Sequence, residues 1–202
     1  NHAQAFRSTW LAFCIICTKV VYEVRSLKRQ SGFTLIELIV TCVIIGAAAG
    51  IAIPTFAVWL PNYRLKSAAL DLFSSFQQAK MMAVRANADH SLEFDTTNNR
   101  YTLKDADGVI VKTVELSQYG NPGDISFGWG DATKNATDSG GTLPGGPVTF
   151  GASGGNSATF NPRGMGNAGY VYINNTKNAS YAIGKESTGL IKMRKWKGSN
   201  WE

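Results

Sequence analysis

The longest apolar stretch of the chain runs from Phe33 to Leu60 and carries one formal charge, Glu37. A helix over this range would be about 42 Å long, and a hydrocarbon core needs only about 20 apolar residues. Basic residues precede the stretch, and the next one follows only at Arg64. Since positive charge favours the cytoplasmic side, the pattern predicts one membrane-spanning helix, with a cytoplasmic N-terminus and an exported remainder.

Glycine and proline weaken this predicted helix. Gly46, Gly50 and Pro54 lie within the apolar stretch, where glycine costs about 1 kcal/mol and proline about 3 kcal/mol relative to alanine. They predict a helix break at Pro54 and a segment that bends or melts when its surroundings change. Pro61-Asn62 predicts a second break or a restart, because proline is tolerated in a first helical turn.

Residues 61–88 predict an amphipathic continuation of the helix. Apolar residues recur at alternating steps of four and three, as they do on one face of a helix, and most positions between them are polar. Such a stripe can form a coiled coil, but packing against a sheet is the preferred interpretation. The stripe consists of Leu65, Ala69, Leu72, Phe76, Ala79, Ala83 and Ala86.

From residue 89 onward, β-rich runs separated by turn residues replace the helical period. Asp107-Gly108 lies between two of these runs and predicts a hairpin. Residues 120–156 are rich in Gly, Asn, Asp, Ser and Thr, and they predict long loops around one short strand at 147–150. The other predicted strands are 91–95, 100–104, 109–114, 158–160, 169–173, 180–183 and 190–196.

Composition and motifs argue against an enzyme. His90 is the only histidine after residue 32, and its position between helix and strand predicts a surface or capping residue. Cys14 and Cys17 form a C-x-x-C motif that no βαβ pattern surrounds, and Cys42 lies in the apolar stretch. Nucleophile and phosphate-binding motifs do not appear. We therefore expect no catalytic site, no cofactor and no metal site.

Charge is unevenly distributed along the chain. Residues 1–32 carry five basic and one acidic residue, so the net charge of +6 for the whole chain falls to +2 for residues 33–202. The remaining basic excess is local, and a cluster of this kind can bind DNA, with Trp196 and Trp201 nearby for stacking. The preferred interpretation is a solvated edge strand whose lysines discourage edge-to-edge pairing. The basic residues are Arg163, Lys192, Arg194, Lys195 and Lys197.

The residues at the start of the apolar stretch resemble a known processing signal. Lys28-Arg29-Gln30-Ser31-Gly32-Phe33-Thr34-Leu35-Ile36-Glu37-Leu38 is similar to the class III signal of type IV pilins and type II secretion pseudopilins. The resemblance implies that a prepilin peptidase cleaves after Gly32, that Phe33 is N-methylated, and that the chain assembles into a helical filament. Pro54 also falls where such N-terminal helices commonly carry a proline.

Glu37 has two interpretations. A carboxylate inside a bilayer costs roughly 2.5–3.5 kcal/mol on insertion scales and usually has a partner. Cleavage after Gly32 would create an α-amino group on Phe33, which could pair with Glu37 of the same or a neighbouring subunit. The alternative is an ordinary signal anchor in which Glu37 lies near the membrane interface.

Three further segments resemble the GspH/FimT group of minor pilins and pseudopilins, namely 79–87, 160–164 and 187–192. This resemblance implies an α+β, pilin-like fold in which a long N-terminal transmembrane helix packs on an antiparallel β-rich head. It also implies a non-enzymatic subunit that initiates, caps or decorates a type II secretion pseudopilus or a type IV pilus. The corresponding domains are a leader at 1–32, an assembly helix at 33–60, its amphipathic continuation at 61–88 and a head at 89–202.

The same resemblance implies partners and a location. The partners are other pilins, the prepilin peptidase/N-methyltransferase, an inner-membrane assembly platform and, before assembly, membrane lipid. The location is the bacterial inner membrane, with a periplasmic head, and then the filament. Some members of the group bind DNA through a Gly-Arg-x-Arg tail. The matching segment here is Gly189-Leu190-Ile191-Lys192, which lacks the first Arg and replaces the second by Lys. DNA uptake is therefore the alternative function and not the preferred one.

Overall fold

The computed structural model describes residues 32–150 and 155–202, so the predicted leader up to residue 31 and its C-x-x-C motif lie outside the described residues. The described part begins with helix α1 (Leu35–Ala86), which a β-rich region follows. The chain divides into two units, Asn1–Ile51 and Ala52–Glu202. All the strands formed by the described residues lie in the second unit.

Helix α1 is assigned without interruption through Pro54 and Pro61. The predicted break at Pro54 and the predicted restart at Pro61 are therefore not seen. A proline removes one backbone hydrogen bond, and the helical turns on either side of it continue. The helix ends in a Schellman-type turn, in which Asn87 has a positive φ of 49° and the Ala88 N–H donates to the carbonyl of Ala83 at 3.2 Å.

The strands form two antiparallel four-stranded sheets, which confirms the predicted α+β class. The strands are β1 (His90–Asp95), β2 (Arg100–Lys104), β3 (Ile110–Glu115), β4 (Ile125–Phe127), β5 (Ser157–Phe160), β6 (Gly169–Asn175), β7 (Ser180–Lys185) and β8 (Ile191–Lys195). In the first sheet the order is β3-β2-β1-β5, and in the second it is β4-β6-β7-β8. A short 3₁₀ helix, Leu116–Tyr119, follows β3.

The predicted helical stripe forms one side of the main core. All its members from Leu65 to Ala83 are fully buried, whereas Ala86, at the end of the helix, is exposed. The centre of the Phe76 ring lies 5.7–6.3 Å from the centres of three other rings, which belong to Phe94 of β1, Phe150 and Phe160 of β5. The stripe thus packs against strands, as preferred, and not as a coiled coil.

Two local expectations were wrong. Residues 147–150 make only isolated bridges, whereas the short strand β4 lies earlier, at Ile125–Phe127. Three residues are too few to show an alternating pattern, and β4 is fixed by its pairing with β6. The surface alternative for His90 was wrong, because His90 is buried. The contact expected of a capping residue is present, since its Nδ1 lies 3.2 Å from the carbonyl of Ala88, just after the end of α1.

A smaller core covers the other face of the second sheet. Tyr170 and Tyr172 of β6 are buried there with Ala182 of β7, and the loop after β4 supplies Ala136. The Ala136 N–H donates to the hydroxyl of Tyr172 at 2.9 Å. Trp129 packs against this cluster and so anchors its loop on the second sheet.

Two turns near the C-terminus meet in close backbone contact. Gly164 and Gly189 both have positive φ, 73° and 80°, and a Cβ at Gly189 would collide with the carbonyl oxygen of Gly164. Lys80 of α1 ties the arrangement to the helix, because its Nζ donates to the carbonyl of Gly189 at 2.9 Å. These turns therefore require glycine for space as well as for conformation.

Candidate functional site

The residues of the predicted processing signal lie at the start of α1. Gly32 and Phe33 precede the helix, and the side chain of Phe33 is 77% exposed. Thr34 caps the helix, since the N–H of Glu37 donates to its Oγ1 at 3.3 Å. Glu37 itself stands in the first turn, where a carboxylate interacts favourably with the helix dipole.

Among the described residues of the first unit, which begin at Gly32, the large apolar side chains are mostly exposed. No helix among the described residues is both long enough and apolar enough to span a membrane. In the second unit, α1 carries a further exposed apolar group before the buried stripe begins: Ile53, Phe56, Trp59, Leu60 and Tyr63. The exposed members of the first unit include Phe33, Leu35, Ile36, Ile39, Val40, Val43, Ile44 and Ile45.

Lys192 and Arg194, two residues apart on β8, both bind Asp138. Lys192 Nζ lies 3.1 Å from one Asp138 oxygen and 2.5 Å from Glu186 Oε1, and the Arg194 guanidinium binds the other Asp138 oxygen. The hydrogen bonds that Arg194 and then Lys192 donate lower the pKa of Asp138. The hydrogen bonds that Lys192 donates to Glu186 and then to Asp138 raise the pKa of Lys192. Two of the five predicted basic site residues are thus neutralised locally.

The other three predicted basic residues have different surroundings. Lys197 forms an ion pair with Glu202 at 3.1 Å, and Lys195 lies over the ring of Tyr181. Arg163 is exposed in the turn after β5 and, within the described residues, forms no ion pair with a carboxylate. Trp196 is buried against Trp201, so it offers no free face for stacking. DNA binding stays a prediction.

A polar cluster centred on Asp71 joins α1 to the first sheet. The hydroxyls of Tyr119 and Tyr101 donate to Asp71 Oδ2 at 2.7 and 2.8 Å, and Lys112 Nζ lies 3.2 Å from Oδ1. Partial burial would raise the pKa of the Asp71 carboxyl, but these hydrogen bonds outweigh it and hold the pKa below its usual range. Sequence analysis missed this cluster, because its members come from distant segments.

Lys185 at the end of β7 is the second polar group that the sequence did not reveal. Only 1% of its surface is exposed, and within the described residues its Nζ has no hydrogen-bond partner. The ammonium lies 4.4 Å from the centre of the Phe160 ring. Burial, together with the charge of Lys80, lowers the pKa of Lys185 to about 8.

Sequence comparison supplies the family. The prokaryotic N-terminal methylation motif matches residues 27–53, and the family described as type II transport protein GspH matches residues 68–189, which is more than half of the chain. This chain belongs to the GspH family. Members of the pilin and pseudopilin families are structural subunits, which confirms the expectation that the chain is not an enzyme, and membership implies assembly with other pilins in a filament.

Two solved structures resemble this GspH-family chain. The minor pseudopilin EpsH of the Vibrio cholerae type 2 secretion system has 10% identity and a TM-score of 0.43, and the match covers 64% of this chain and 95% of EpsH. The type IV minor pilin FimU of Pseudomonas aeruginosa has 14% identity and a TM-score of 0.43, with 70% and 94% covered. Both similarities are too weak to carry an argument. Among curated proteins, no sequence matches this chain.

Proposed function

We propose that this chain is a minor pseudopilin or pilin subunit that initiates, caps or decorates a type II secretion pseudopilus or a type IV pilus. The observation that carries the proposal is the run of exposed apolar side chains on α1, which lies within the methylation motif and continues beyond it to Tyr63. Fully burying one Val, Leu, Ile or Phe side chain is worth about 1.5–3 kcal/mol. Covering this surface therefore supplies a large driving force for assembly.

The apolar surface needs a different cover at each stage. Before assembly, the lipid of the bacterial inner membrane covers it, with the head on the periplasmic side. In the filament, the corresponding helices of neighbouring subunits replace the lipid, and an inner-membrane assembly platform makes the exchange possible. The head is folded around its own core, so it keeps its structure through the exchange.

Processing prepares the N-terminus for this role. The prepilin peptidase/N-methyltransferase cleaves after Gly32 and methylates the amine of Phe33. That amine pairs with Glu37 of a neighbouring subunit, and because both groups are desolvated, removing one partner costs roughly 3–5 kcal/mol. Glu37 is exposed at the first turn of α1 and is therefore accessible to a neighbour.

The first experiment tests processing. Mass spectrometry of the membrane-derived protein should find a mature N-terminus at N-methylated Phe33. Gly32→Val should block the cut, because a β-branched side chain crowds the peptidase site. Gly46→Val is the matched control, since a Cβ there meets no atom within 4 Å, and it should be cleaved normally. An uncleaved chain in a functional filament would reject the proposal.

The second experiment tests the assembly role of Glu37. Glu37→Val should leave membrane insertion intact or improve it, yet reduce the recovery of this subunit in a pulldown with partner pilins. Glu115→Val makes the same change at an exposed position of the head and should be incorporated like the wild type. Normal incorporation of Glu37→Val would remove the charge pair from the proposal.

DNA binding is the alternative, and Asp138 argues against it, since it occupies Lys192 and Arg194. If about three phosphates were neutralised on duplex DNA, the log of affinity against the log of salt should have a slope near −2.7. A gel-shift titration of the full chain in uncharged detergent should show no retardation. Retardation at low salt that disappears in Lys192→Ala/Arg194→Ala would favour a role in DNA uptake instead.

A further inference from the structure

An open groove of about 430 Å³ lies in the second unit, where the exposed apolar part of α1 gives way to the buried stripe. One wall comes from α1 and includes Trp59, Tyr63 and Lys66, and the other comes from Tyr181 of β7 and Lys195 of β8. The groove therefore brings together aromatic rings and two lysines from segments that are far apart in the sequence.

The two lysines of the groove are available cations. Lys66 and Lys195 are both exposed, and within the described residues no carboxylate lies within ion-pair distance of either ammonium. Lys195 Nζ is held 6.0 Å above the ring of Tyr181. This differs from Lys192 and Lys197 on the same part of the chain, which both have carboxylate partners. The groove is thus positively charged and lacks its own counter-ion.

The aromatic wall of the groove continues into an apolar surface. The rings of Trp59 and Tyr63 stack with centroids 5.0 Å apart, and each side chain is 55% exposed. Phe56 and Ile53, one and two turns towards the N-terminus, are exposed as well. A ligand of this groove therefore meets cations at one end and a strip of apolar side chains at the other.

We propose that the groove binds the headgroup of an anionic phospholipid, with its phosphate between Lys66 and Lys195 and its acyl chains along Phe56 and Ile53. Tryptophan and tyrosine are enriched at the level of the headgroups, where their rings meet both apolar and polar surroundings. Lysines near an anionic lipid surface add electrostatic attraction. The combination of charge and apolar strip matches an amphiphile better than it matches a nucleic acid, which lacks the apolar part.

This inference rests on the proposed membrane anchoring of the subunit before assembly, and it names the lipid that holds the head at the surface. The headgroup orients the second sheet towards the bilayer, because one of its two lysine contacts comes from β8. When the subunit leaves the bilayer for the filament, the groove releases the lipid.

Native mass spectrometry of the full chain, released from uncharged detergent, tests the site with palmitoyl-oleoyl phosphatidylglycerol as the probe and the matching phosphatidylcholine as the comparison. Phosphatidylglycerol should be retained with an apparent affinity about tenfold higher. The double variant Lys66→Gln/Lys195→Gln should lower it to the level of phosphatidylcholine. Both side chains are exposed, so the variant should keep the wild-type melting temperature.

The matched control is Arg85→Gln/Lys177→Gln, which removes two exposed cations outside the groove and should retain phosphatidylglycerol like the wild type. Equal retention of the two lipids, or equal loss in both double variants, would overturn the inference. Preferential retention of a short DNA duplex that the groove variant abolishes would overturn it in favour of nucleic acid. Because the measurement requires no filament, failure here with normal incorporation in the pulldown leaves the assembly role standing.

Discussion

Helix α1 carries apolar side chains along both of its parts, but only one part buries them within its own chain. Phe56 is 64% exposed, whereas Phe76, twenty residues later on the same helix, is fully buried. The difference lies in the positions between them. Around Phe56 nearly every position is apolar, while around Phe76 polar residues separate the members of the stripe. A helix that is apolar all round needs a cover from outside.

This comparison shows that hydropathy alone does not locate a core. A stripe with helical period predicts burial against the same chain, and the structure confirms it for residues 65–83. A continuous apolar surface predicts burial against lipid or other subunits. The same residue type thus stabilises the fold in one part of α1 and, in the proposed function, drives assembly in the other.

The largest effect should come from truncating the buried phenylalanine. Phe76→Ala removes a ring that contacts three others, and it should lower the free energy of unfolding by about 3–5 kcal/mol. Phe56→Ala makes the same change on the exposed part and should alter this free energy by less than about 0.5 kcal/mol, while reducing incorporation into filaments. Urea unfolding in uncharged detergent measures both, and equal losses of stability would contradict the comparison.

The pH dependence of stability tests whether water reaches Lys185, which is buried and is influenced by the charge of Lys80 on α1. The folded pKa of about 8 lies below the ordinary value of 10.5, so the unfolded chain binds more protons between these pH values. Stability should therefore rise as the pH increases from 8 to 10.5, by on the order of 3 kcal/mol.

Lys185→Met should abolish this rise and stabilise the protein near pH 7. Lys177→Met, at an exposed position, should keep it. Urea midpoints measured across the pH range decide the matter, and a flat profile in the wild type would show that the Lys185 ammonium is solvated.

Asp71→Asn should weaken the attachment of α1 to the first sheet by about 1–3 kcal/mol, because two tyrosine hydroxyls and Lys112 lose a charged acceptor. The pKa of Asp71 is depressed, so its contribution is present above the ordinary value of 3.8 and is lost as the pH falls through the folded value. The difference between wild type and variant in urea unfolding should accordingly shrink in acid. An unchanged difference at low pH would assign the effect to geometry alone.

The smallest effect concerns the exposed end of the helix. Thr34→Ala removes the cap and should destabilise the first turn locally by about 1 kcal/mol, which amide hydrogen exchange at Glu37 in detergent micelles would detect. Thr41→Ala is the control, since its hydroxyl only donates to the carbonyl of Leu38 within the helix. Faster exchange in Thr41→Ala than in Thr34→Ala would contradict the assignment of the cap.

Local patterns predicted most of the fold. Strand β2 has the predicted bounds, β1 and β7 deviate by one or two residues at an end, and the Asp107-Gly108 turn joins β2 to β3. The cap of α1 was not predicted, although Thr34 stands three residues before Glu37, which is the spacing of a capping box. Each of these features depends on residues close together in the chain.

The missed features depend on long-range contacts. Asp71 meets Lys112 across 41 positions, and Asp138 meets Arg194 across 56. Neither pairing can be predicted from local periodicity or composition. The basic residues of β8 were therefore considered free to bind DNA, although Asp138 partly neutralises them. The burial of His90 was missed for the same reason, since β5, which pairs with it, lies seventy residues away.

The contact between Gly164 and Gly189 limits how this part of the chain can diverge during evolution. A side chain at Gly189 would collide with the backbone carbonyl of Gly164. A smaller side chain at position 164 could not remove this collision, because the colliding atom belongs to the main chain. Each glycine also sits at positive φ, where any replacement is strained. Related sequences should therefore keep both glycines whether or not they share a ligand, and the flanking residues should carry the variation that separates one subunit type from another.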